Sequence, residues 1–251
     1  MIELDPTAAA AGVKLIAHDT IGSTNAEALA RSRDGERGPL WVTAKSQTAG
    51  RGRRGRTWVS EPGNLYASLL LTDPAPPERC PELSFVAALA LHDAIGGRIP
   101  GLSTRVALKW PNDLLIDRNK FAGILIEGEG ASVAIGIGVN CAHHPGGTDF
   151  PATDLATAGV RITPESLFAP LTAAMTARLA EWNRGEGFAA IRAGWLARAA
   201  GLGKPIRVKS GDDELNGQFD TIDDNGRLVL RLADGTMRTV TAGDVFMTAR
   251  Q

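Results

Sequence analysis

A basic, glycine-rich segment is the first place in this sequence where residue types and spacing could do chemistry. Residues 47–58 read QTAGRGRRGRTW, with four arginines, three glycines and no acidic residue. The like charges repel one another and the glycines leave the backbone free, so we expect a loop that stays mobile until an anion orders it. The pattern alone also fits a solvated basic loop or an RNA-contacting segment, although such segments usually occur as repeats in disordered tails.

A second cluster, KWPND, occupies residues 109–113. Lys109 ends a predicted strand, and Pro111 sets a turn that brings Asn112 and Asp113 close to it. An ammonium, an amide and a carboxylate at one strand-to-turn junction suit a nucleotide, because lysine neutralises phosphate while the other two can reach the sugar, a magnesium ion or an attacking amine. Pro-Asn-Asp is also good turn chemistry, so a plain hairpin is an equal alternative at this point.

Glycines inside predicted strands are the third feature. Lys120 opens the strand KFAGILIE, where a lysine is most often a solvated edge residue. Gly123 in that strand, and Gly136 and Gly138 in AIGIGVN, are unfavourable unless a ligand or another backbone approaches closely. We therefore predict a close approach at this part of the sheet.

The elements that would position these residues form a mostly antiparallel sheet with helices. Short runs bounded by turn residues predict strands at 13–18, 39–45, 64–71, 105–110, 113–117, 120–129 and 132–140, with a tight turn at 118–119. Periodicity and capping residues predict helices after residue 23 and at 81–95, 163–182 and 188–200. Thr24 and Glu27 stand at capping-box spacing, so residues 23–25 should lie at a helix N-terminus, where free N–H groups favour an anion.

The pattern of predicted secondary structure changes near residue 203, from helices to short strands. Beyond that point, short alternating strands are separated by Asn-Gly and Asp-Gly turns at 225–226 and 234–235. We predict two domains, residues 1–202 and residues 203–251, the second a small closed or nearly closed β unit.

Composition narrows the class of protein. The 251 residues are 43% hydrophobic with a formal net charge of −1, which suits a globular core and argues against broad binding to nucleic acid or membranes. Cys80 and Cys141 lie far apart and no signal peptide is evident, so we expect a cytoplasmic protein in which Cys141 is a small buried residue. His143 and His144 lack further ligands at suitable spacing, which favours a solvated loop over a metal site.

Five motifs together resemble those of biotin protein ligases, the biotin–[acetyl-CoA carboxylase] ligases. They are STN at 23–25, QTAGRGRRGRTW at 47–58, KWPNDLL at 109–115, KFAGILIE at 120–127 and GIGVN at 136–140, in the order and approximate spacing of that family. The GRGRxGRxW element is the most specific. The resemblance covers residues 13–140 by motif and extends more weakly to the end of the chain, through the closing AGDV.

The resemblance implies an α+β fold: a catalytic domain like that of class II aminoacyl-tRNA synthetases, with a mixed sheet backed by helices, and a small C-terminal β barrel of the Src-homology-3 type. It implies that biotin and ATP, with magnesium, give biotinyl-AMP and pyrophosphate, and that biotin then passes to a lysine of a biotin carboxyl carrier domain. Only twelve residues precede the first predicted strand, so we expect the monofunctional form without a DNA-binding domain. Members often form weak dimers through the sheet, but no residue here requires one.

The resemblance also assigns residues to three groups. The catalytic group is Lys120, Arg51, Lys109 and Asp113. The biotin-binding group is Ser23, Thr24, Asn25, Gln47, Gly50, Arg51, Gly52, Arg53, Lys120, Gly123, Leu125 and Gly136. The ATP-binding group is Arg53, Arg56, Trp58, Lys109, Asn112, Asp113, Lys120 and Asn140. Lys120 would bridge carboxylate and α-phosphate, Trp58 would face the adenine, and Asp113 would orient or deprotonate the acceptor lysine; no residue is expected to ligate a metal.

Two other classes of function are alternatives to a biotin protein ligase. A lipoate or octanoyl ligase would share the fold and the adenylation chemistry but lacks the GRGRxGRxW element. A nucleic-acid-binding module would need a basic face larger than this single loop.

Overall fold

A seven-stranded sheet organises the N-terminal part of the chain in the computed structural model, which describes residues 2–97, 101–148, 150–211 and 213–247. Its strands are β1 (Lys14–Ile21), β2 (Leu40–Gln47), β3 (Leu65–Thr72), β4 (Val106–Lys109), β5 (Asp113–Ile116), β6 (Asn119–Glu129) and β7 (Ser132–Val139). They lie in the order β1-β2-β3-β7-β6-β5-β4, and all neighbours are antiparallel except β1 and β2. The predicted strands are confirmed, with ends shifted by a few residues.

Helices cover both faces of this sheet. The helices are α1 (Pro6–Ala10), α2 (Thr24–Arg33), α3 (Leu83–Gly96), α4 (Pro164–Trp182) and α5 (Phe188–Leu196). Side chains alternate along each strand, so Val42 and Leu70 pack against α2, while Trp41 and Leu69 join the larger core with α3, α4 and α5. All residues of α3 except Asp93 and Gly96 are buried, which explains why its sequence is apolar nearly all round.

The predicted N-terminal capping residues are confirmed for α4 but not for α2. The cap of α4 is confirmed: Thr163 accepts a hydrogen bond from the Ser166 N–H, and Pro164 is the first helical residue. The predicted capping box of α2 is wrong, because Ser23 is the N-cap and Glu27 instead pairs with Arg31 at 2.7 Å.

The turn between β5 and β6 also differs from the sequence prediction. It lies at Asp117 and Arg118, which have φ angles of 48° and 70°, rather than at 118–119. Asn119 already belongs to β6. The pattern located the hairpin but misplaced its tip by one residue.

A second, five-stranded antiparallel sheet follows near the C-terminus. Its strands are β8 (Pro205–Ser210), β9 (Asp213–Ile222), β10 (Leu228–Arg231), β11 (Met237–Val240) and β12 (Asp244–Met247), in the order β11-β10-β9-β8-β12. Gly226 and Gly235 take φ angles of 74° and 86° in the two predicted turns. The Trp110 indole donates to the Gly226 carbonyl at 3.0 Å, which ties this sheet to the first one. Among the described residues, no helix has the length and apolarity needed to cross a bilayer.

Candidate active site

A cavity of about 410 Å³ lies on the α2 face of the seven-stranded sheet. Its walls are the N-terminus of α2, the basic loop (residues 48–58), the glycine-bearing parts of β6 and β7, residues from 145–148 and 150–152, and the start of β12. The predicted residues that line it are Ser23, Thr24, Asn25, Gln47, Arg51, Gly52, Arg53, Arg56, Trp58, Lys109, Asn112, Asp113, Lys120, Gly123, Leu125, Gly136 and Asn140. Gly50 alone of the predicted set does not line it.

One end of the cavity is polar and uncharged. Gln47, the last residue of β2, accepts hydrogen bonds from the Thr24 N–H at 2.8 Å and from the Thr24 hydroxyl at 3.1 Å. Its amide nitrogen donates to Ser60 Oγ at 2.9 Å, so the orientation of the amide is fixed. The hydroxyls of Ser23 and Thr24 and the second N–H of Gln47 keep donor and acceptor capacity for a polar group at this end.

Asn25 borders the same end but uses its side chain within the protein. Its Nδ2 donates to Glu127 Oε2 at 2.7 Å and to the Leu125 carbonyl at 3.3 Å, and its Oδ1 accepts from the Ser68 hydroxyl at 2.6 Å. A Cβ on Gly136 would stand 2.5 Å from Asn25 Oδ1. Gly136 therefore makes room for Asn25, and Asn25 keeps little capacity for a ligand.

Carboxylates from distant strands pair with the basic loop. Arg51 lies 3.0 Å from Glu127 of β6, while Arg56 and Arg54 lie 2.8 Å and 3.2 Å from Asp244 of β12. The repulsion expected among these arginines is partly offset, because acids from elsewhere in the chain pair with them. Two carboxylates still leave the loop with an excess of positive charge beside the cavity.

Arg53 is the most enclosed arginine of the loop. It donates to Asn112 Oδ1 at 3.2 Å and to the Gly243 carbonyl at 3.3 Å. Asn112 in turn donates to the Ile124 carbonyl at 2.6 Å. Arg53 thus joins the loop to both sheets.

Gly50 has a structural role that the resemblance did not suggest. A Cβ there would lie 2.4 Å from the Trp58 carbonyl and 2.5 Å from Ser60 Oγ. The Trp58 N–H donates to the Gly50 carbonyl at 3.0 Å, so the two ends of the loop are joined at this point. Glycine is required here by the approach of backbone, not by a ligand.

The Trp58 indole lies over the strand glycines. A Cβ on Gly138 would stand 2.6 Å from Trp58 Cε2, and one on Gly123 would stand 3.1 Å from Trp58 Cζ3. A close approach at these glycines is present as predicted, but the expected approaching group, a ligand or another backbone, is wrong, because the group is the Trp58 side chain. In the described part of the chain the buried Trp58 Nε1 has no hydrogen-bond partner, so a ligand oxygen that reached it would gain a bond.

Two lysines share one carboxylate at the charged end of the cavity. Asp113 lies 2.5 Å from Lys120 Nζ and 3.2 Å from Lys109 Nζ, and the Lys109 ammonium also stands 3.7 Å from the Phe150 ring. Burial lowers the pKa of Lys109. Burial alone would raise the pKa of Asp113, but Lys120 and Lys109 hold that pKa below its ordinary value.

Asn140, His143 and His144 are held by protein contacts. Asn140 is buried and donates to the Thr153 carbonyl at 3.0 Å. His144 lies in a loop as expected, with its side chain 31% exposed, and its Nδ1 lies 2.6 Å from Asp154 Oδ2. Cys141 is buried as expected, and burial raises the pKa of its thiol to about 12. Within the described ranges no group of three or more His, Cys, Asp and Glu side chains could hold a metal.

Comparison with known proteins gives a consistent result. Residues 20–142 match the Biotin/lipoate A/B protein ligase family, and residues 201–248 match the biotin protein ligase C-terminal domain. The chain is 44% identical to a biotin–[acetyl-CoA-carboxylase] ligase of Paracoccus denitrificans, over 89% of this chain and 96% of that protein. It is a biotin protein ligase family member. A Mycobacterium tuberculosis ligase of the same name is 35% identical over 89% of this chain and 85% of that protein.

Solved structures of biotin protein ligases have the same fold. The Aquifex aeolicus enzyme in complex with biotin and ATP superposes with a TM-score of 0.77 at 24% identity, covering 93% of this chain and 97% of that one. The Leishmania major enzyme in complex with biotinyl-5-AMP has a TM-score of 0.65 at 29% identity, covering 91% and 99%. The expected fold class, a class II synthetase-like domain followed by a small Src-homology-3-type unit, is confirmed for this biotin protein ligase.

Several residues at the cavity were not in the predicted set. They come from residues 145–148 and 150–152, from β12, and from positions within or near the motifs: Tyr66, Thr57, Val59, Ile124, Ile137, Gly138, Pro145, Gly147, Thr148, Phe150, Ala152, Asp244, Val245 and Phe246. Gly138 carried a signal as a strand glycine, and Asp244 lies in the AGDV element. Thr57, Ile124 and Ile137 lie inside the quoted motifs but were not singled out, and Val245 follows Asp244 in the same element. The others had no signal in the sequence, because their neighbours in space are remote along the chain.

Proposed function

We propose that this chain is an ATP-dependent biotin–protein ligase. In the first half-reaction a biotin carboxylate oxygen bonds to the α-phosphorus of ATP, and the bond from that phosphorus to the β-phosphate oxygen breaks, releasing pyrophosphate. In the second, a lysine amine of a biotin carboxyl carrier protein attacks the acyl carbon of biotinyl-AMP. AMP leaves, an amide forms, and the attacking nitrogen loses a proton.

The observation that carries this proposal is the distribution of charge in one cavity. A neutral polar end lies at the N-terminus of α2, and the remainder is lined by two lysines and three of the loop arginines against two carboxylates, Asp113 and Asp244. Two acids that repel each other need such a surplus of cations in order to meet. Catalysis then consists mainly of positioning and electrostatic stabilisation.

At the neutral end we assign recognition of the ureido ring to Ser23, Thr24 and Gln47. Arg51 and Lys120 are then placed to receive the carboxylate. Asn25, Gly136 and Gly50 shape this end without binding the ligand directly, which revises the role that the resemblance implied for them.

At the charged end we assign the nucleotide to Lys109, Asn112, Arg53 and Arg56, with Lys120 between the carboxylate and the α-phosphate. Trp58 offers toward the same region an aromatic face and an N–H that has no partner among the described residues. Magnesium enters with ATP, held chiefly by its phosphates, since the cavity carboxylates Asp113 and Asp244 already face lysine or arginine.

Asp113 suits a positioning role better than that of a base. Its lowered pKa makes the carboxylate a weak proton acceptor, and both of its oxygens face lysines. We therefore assign it the orientation of Lys120 and Lys109. On this assignment Asp113→Asn slows adenylate formation at least as much as transfer from preformed adenylate.

Three further points are part of the proposal. A domain boundary near residue 203 is supported by the start of β8 at Pro205. The free thiols of Cys80 and Cys141 suit a reducing compartment such as the cytoplasm. A weak homodimer through the sheet would use the edge strand β1, since the other edge strand, β4, already bonds through Leu108 to the backbone at residues 198–200.

ATP–pyrophosphate exchange tests the first half-reaction. Purified protein with MgATP should exchange label in the presence of biotin and not in the presence of lipoate. Exchange driven by lipoate would assign the chain to the lipoate ligases instead. Salt-sensitive binding of RNA without biotin-dependent exchange would favour a nucleic-acid-binding module.

A further inference from the structure

A chain of hydrogen bonds runs beneath the neutral end of the cavity, from Thr24 to the ion pair of Arg51. Ser68 of β3, opposite Gly136 and fully buried, stands in the middle of it. Its Oγ lies 2.8 Å from Thr24 Oγ1 and 2.6 Å from Asn25 Oδ1. Neither the motifs nor the cavity lining includes Ser68.

The donors and acceptors of this junction can be assigned. The Thr24 hydroxyl donates to Gln47 Oε1, because the Gln47 amide nitrogen is directed to Ser60. Asn25 Oδ1 can only accept. The single proton of Ser68 is therefore shared between two acceptors, Thr24 Oγ1 and Asn25 Oδ1.

We propose that Ser68 is a positioning residue for biotin recognition. Its proton holds Thr24 and Asn25 in place, and Asn25 in turn orients Glu127, the carboxylate that anchors Arg51. The inference rests on the proposed function, because it takes the neutral end of the cavity as the ureido site.

Ligand binding would direct the shared proton. A ureido N–H that donates to the second lone pair of Thr24 Oγ1 makes that oxygen a weaker acceptor for Ser68, so the Ser68 proton shifts towards Asn25. The Asn25 amide then keeps its nitrogen on Glu127, which fixes the partner of Arg51. Occupancy of the neutral end is thereby coupled to the basic loop through three side chains.

Ser68→Ala removes the donor and leaves Asn25 Oδ1 buried without one. The expected result is a rise of about tenfold in the KM for biotin, since a buried unpaired acceptor is costly. The KM for ATP and kcat should change by less than about threefold, because the nucleotide groups are untouched. Biotin-dependent pyrophosphate exchange measures all three.

Thr172→Val is the matched control, because Thr172 also carries a fully buried hydroxyl, in α4 and outside the cavity. It should leave the KM for biotin unchanged even where thermal unfolding shows a similar loss of stability. Ser68→Cys keeps the volume with a weaker donor and should give an intermediate KM, which covers the case in which Ser68→Ala does not fold.

A double-mutant cycle with Glu127→Gln tests the link to Arg51. The effects of Ser68→Ala and Glu127→Gln on the dissociation rate of biotinyl-AMP should be clearly less than additive, because both changes break one chain. Strict additivity, or a wild-type KM for biotin in Ser68→Ala, overturns the inference while leaving the ligase function intact. Absence of biotin-dependent exchange in the wild type would instead refute the proposed function, and this inference with it.

Discussion

At the scale of single residues, pairing of charges decides what the site can do. Lys109 and Lys120 share Asp113, so one positive charge remains for an anionic substrate. The sequence indicated all three residues: KWPND places Lys109 and Asp113 at one strand-to-turn junction, and Lys120 opens the next predicted strand. It could not show that Asp113 is held between the lysines, because Lys120 reaches it from the neighbouring strand.

The lowered pKa of Asp113 makes stability depend on pH in a defined direction. The ionised Asp113 stabilises the fold above the ordinary carboxyl pKa of about 4, and this contribution is lost as the pH falls through the folded-state value. The difference in free energy of unfolding between wild type and Asp113→Asn should therefore shrink from pH 7 towards pH 3, as measured by urea denaturation. A constant difference would contradict the ion-pair assignment.

Arg51 should retain the reactive intermediate. Arg51→Gly removes the contact with Glu127 and a cation at the carboxylate end. A charge-assisted bond contributes about 1.5–3 kcal/mol, so biotinyl-AMP should dissociate about ten- to a hundredfold faster. Stopped-flow release of preformed adenylate measures this rate. Arg51→Ala, which adds no backbone freedom, should behave alike; dissociation as slow as in wild type would refute the role.

At the scale of elements, strand pairing places the glycines of β6 and β7 under the basic loop. Gly123 stands opposite Gly138 in the register, and the Trp58 indole lies over both. Strands, helices and the unusual glycines could be predicted because periodicity and turn residues are local signals. The groups that approach the glycines could not, because Trp58 and Asn25 arrive from other parts of the chain.

Gly138→Ala should displace Trp58 from its place on the sheet. The added methyl group would stand 2.6 Å from the indole, and overpacking of this kind costs about 1–3 kcal/mol. We expect a clear fall in kcat/KM for both biotin and ATP in the exchange assay. Gly128→Ala is the control in β6, since its nearest neighbour would be Ser132 O at 3.7 Å. Equal effects of the two variants would argue against a specific role for the Trp58 contact.

At the scale of the whole molecule, the C-terminal sheet completes the cavity. Asp244 of β12 binds Arg54 and Arg56, which lie 190 and 188 positions earlier in the sequence. The sequence predicted a second unit beyond residue 203 but could not predict its contact with the basic loop, because no local pattern encodes a contact over that distance. The basic loop is therefore a shared element of both sheets, although the need for an anion to order it is still a prediction.

Asp244→Asn should weaken the nucleotide end without affecting the neutral end. Loss of the carboxylate frees Arg54 and Arg56 from their common partner, so the KM for ATP should rise about tenfold, as expected for loss of a charged hydrogen bond. The KM for biotin should stay near that of wild type. Asp220→Asn, which breaks an ion pair with Arg231 in the same sheet, is the control and should change neither constant.

The most direct measurement follows labelled biotin from the solution into protein. Wild-type chain, MgATP and an apo biotin carboxyl carrier domain should yield a carrier with label in amide linkage to one lysine, together with stoichiometric AMP and pyrophosphate. A carrier that stays unlabelled, with no pyrophosphate formed, would contradict the claim that this cavity brings two anionic substrates together and joins them.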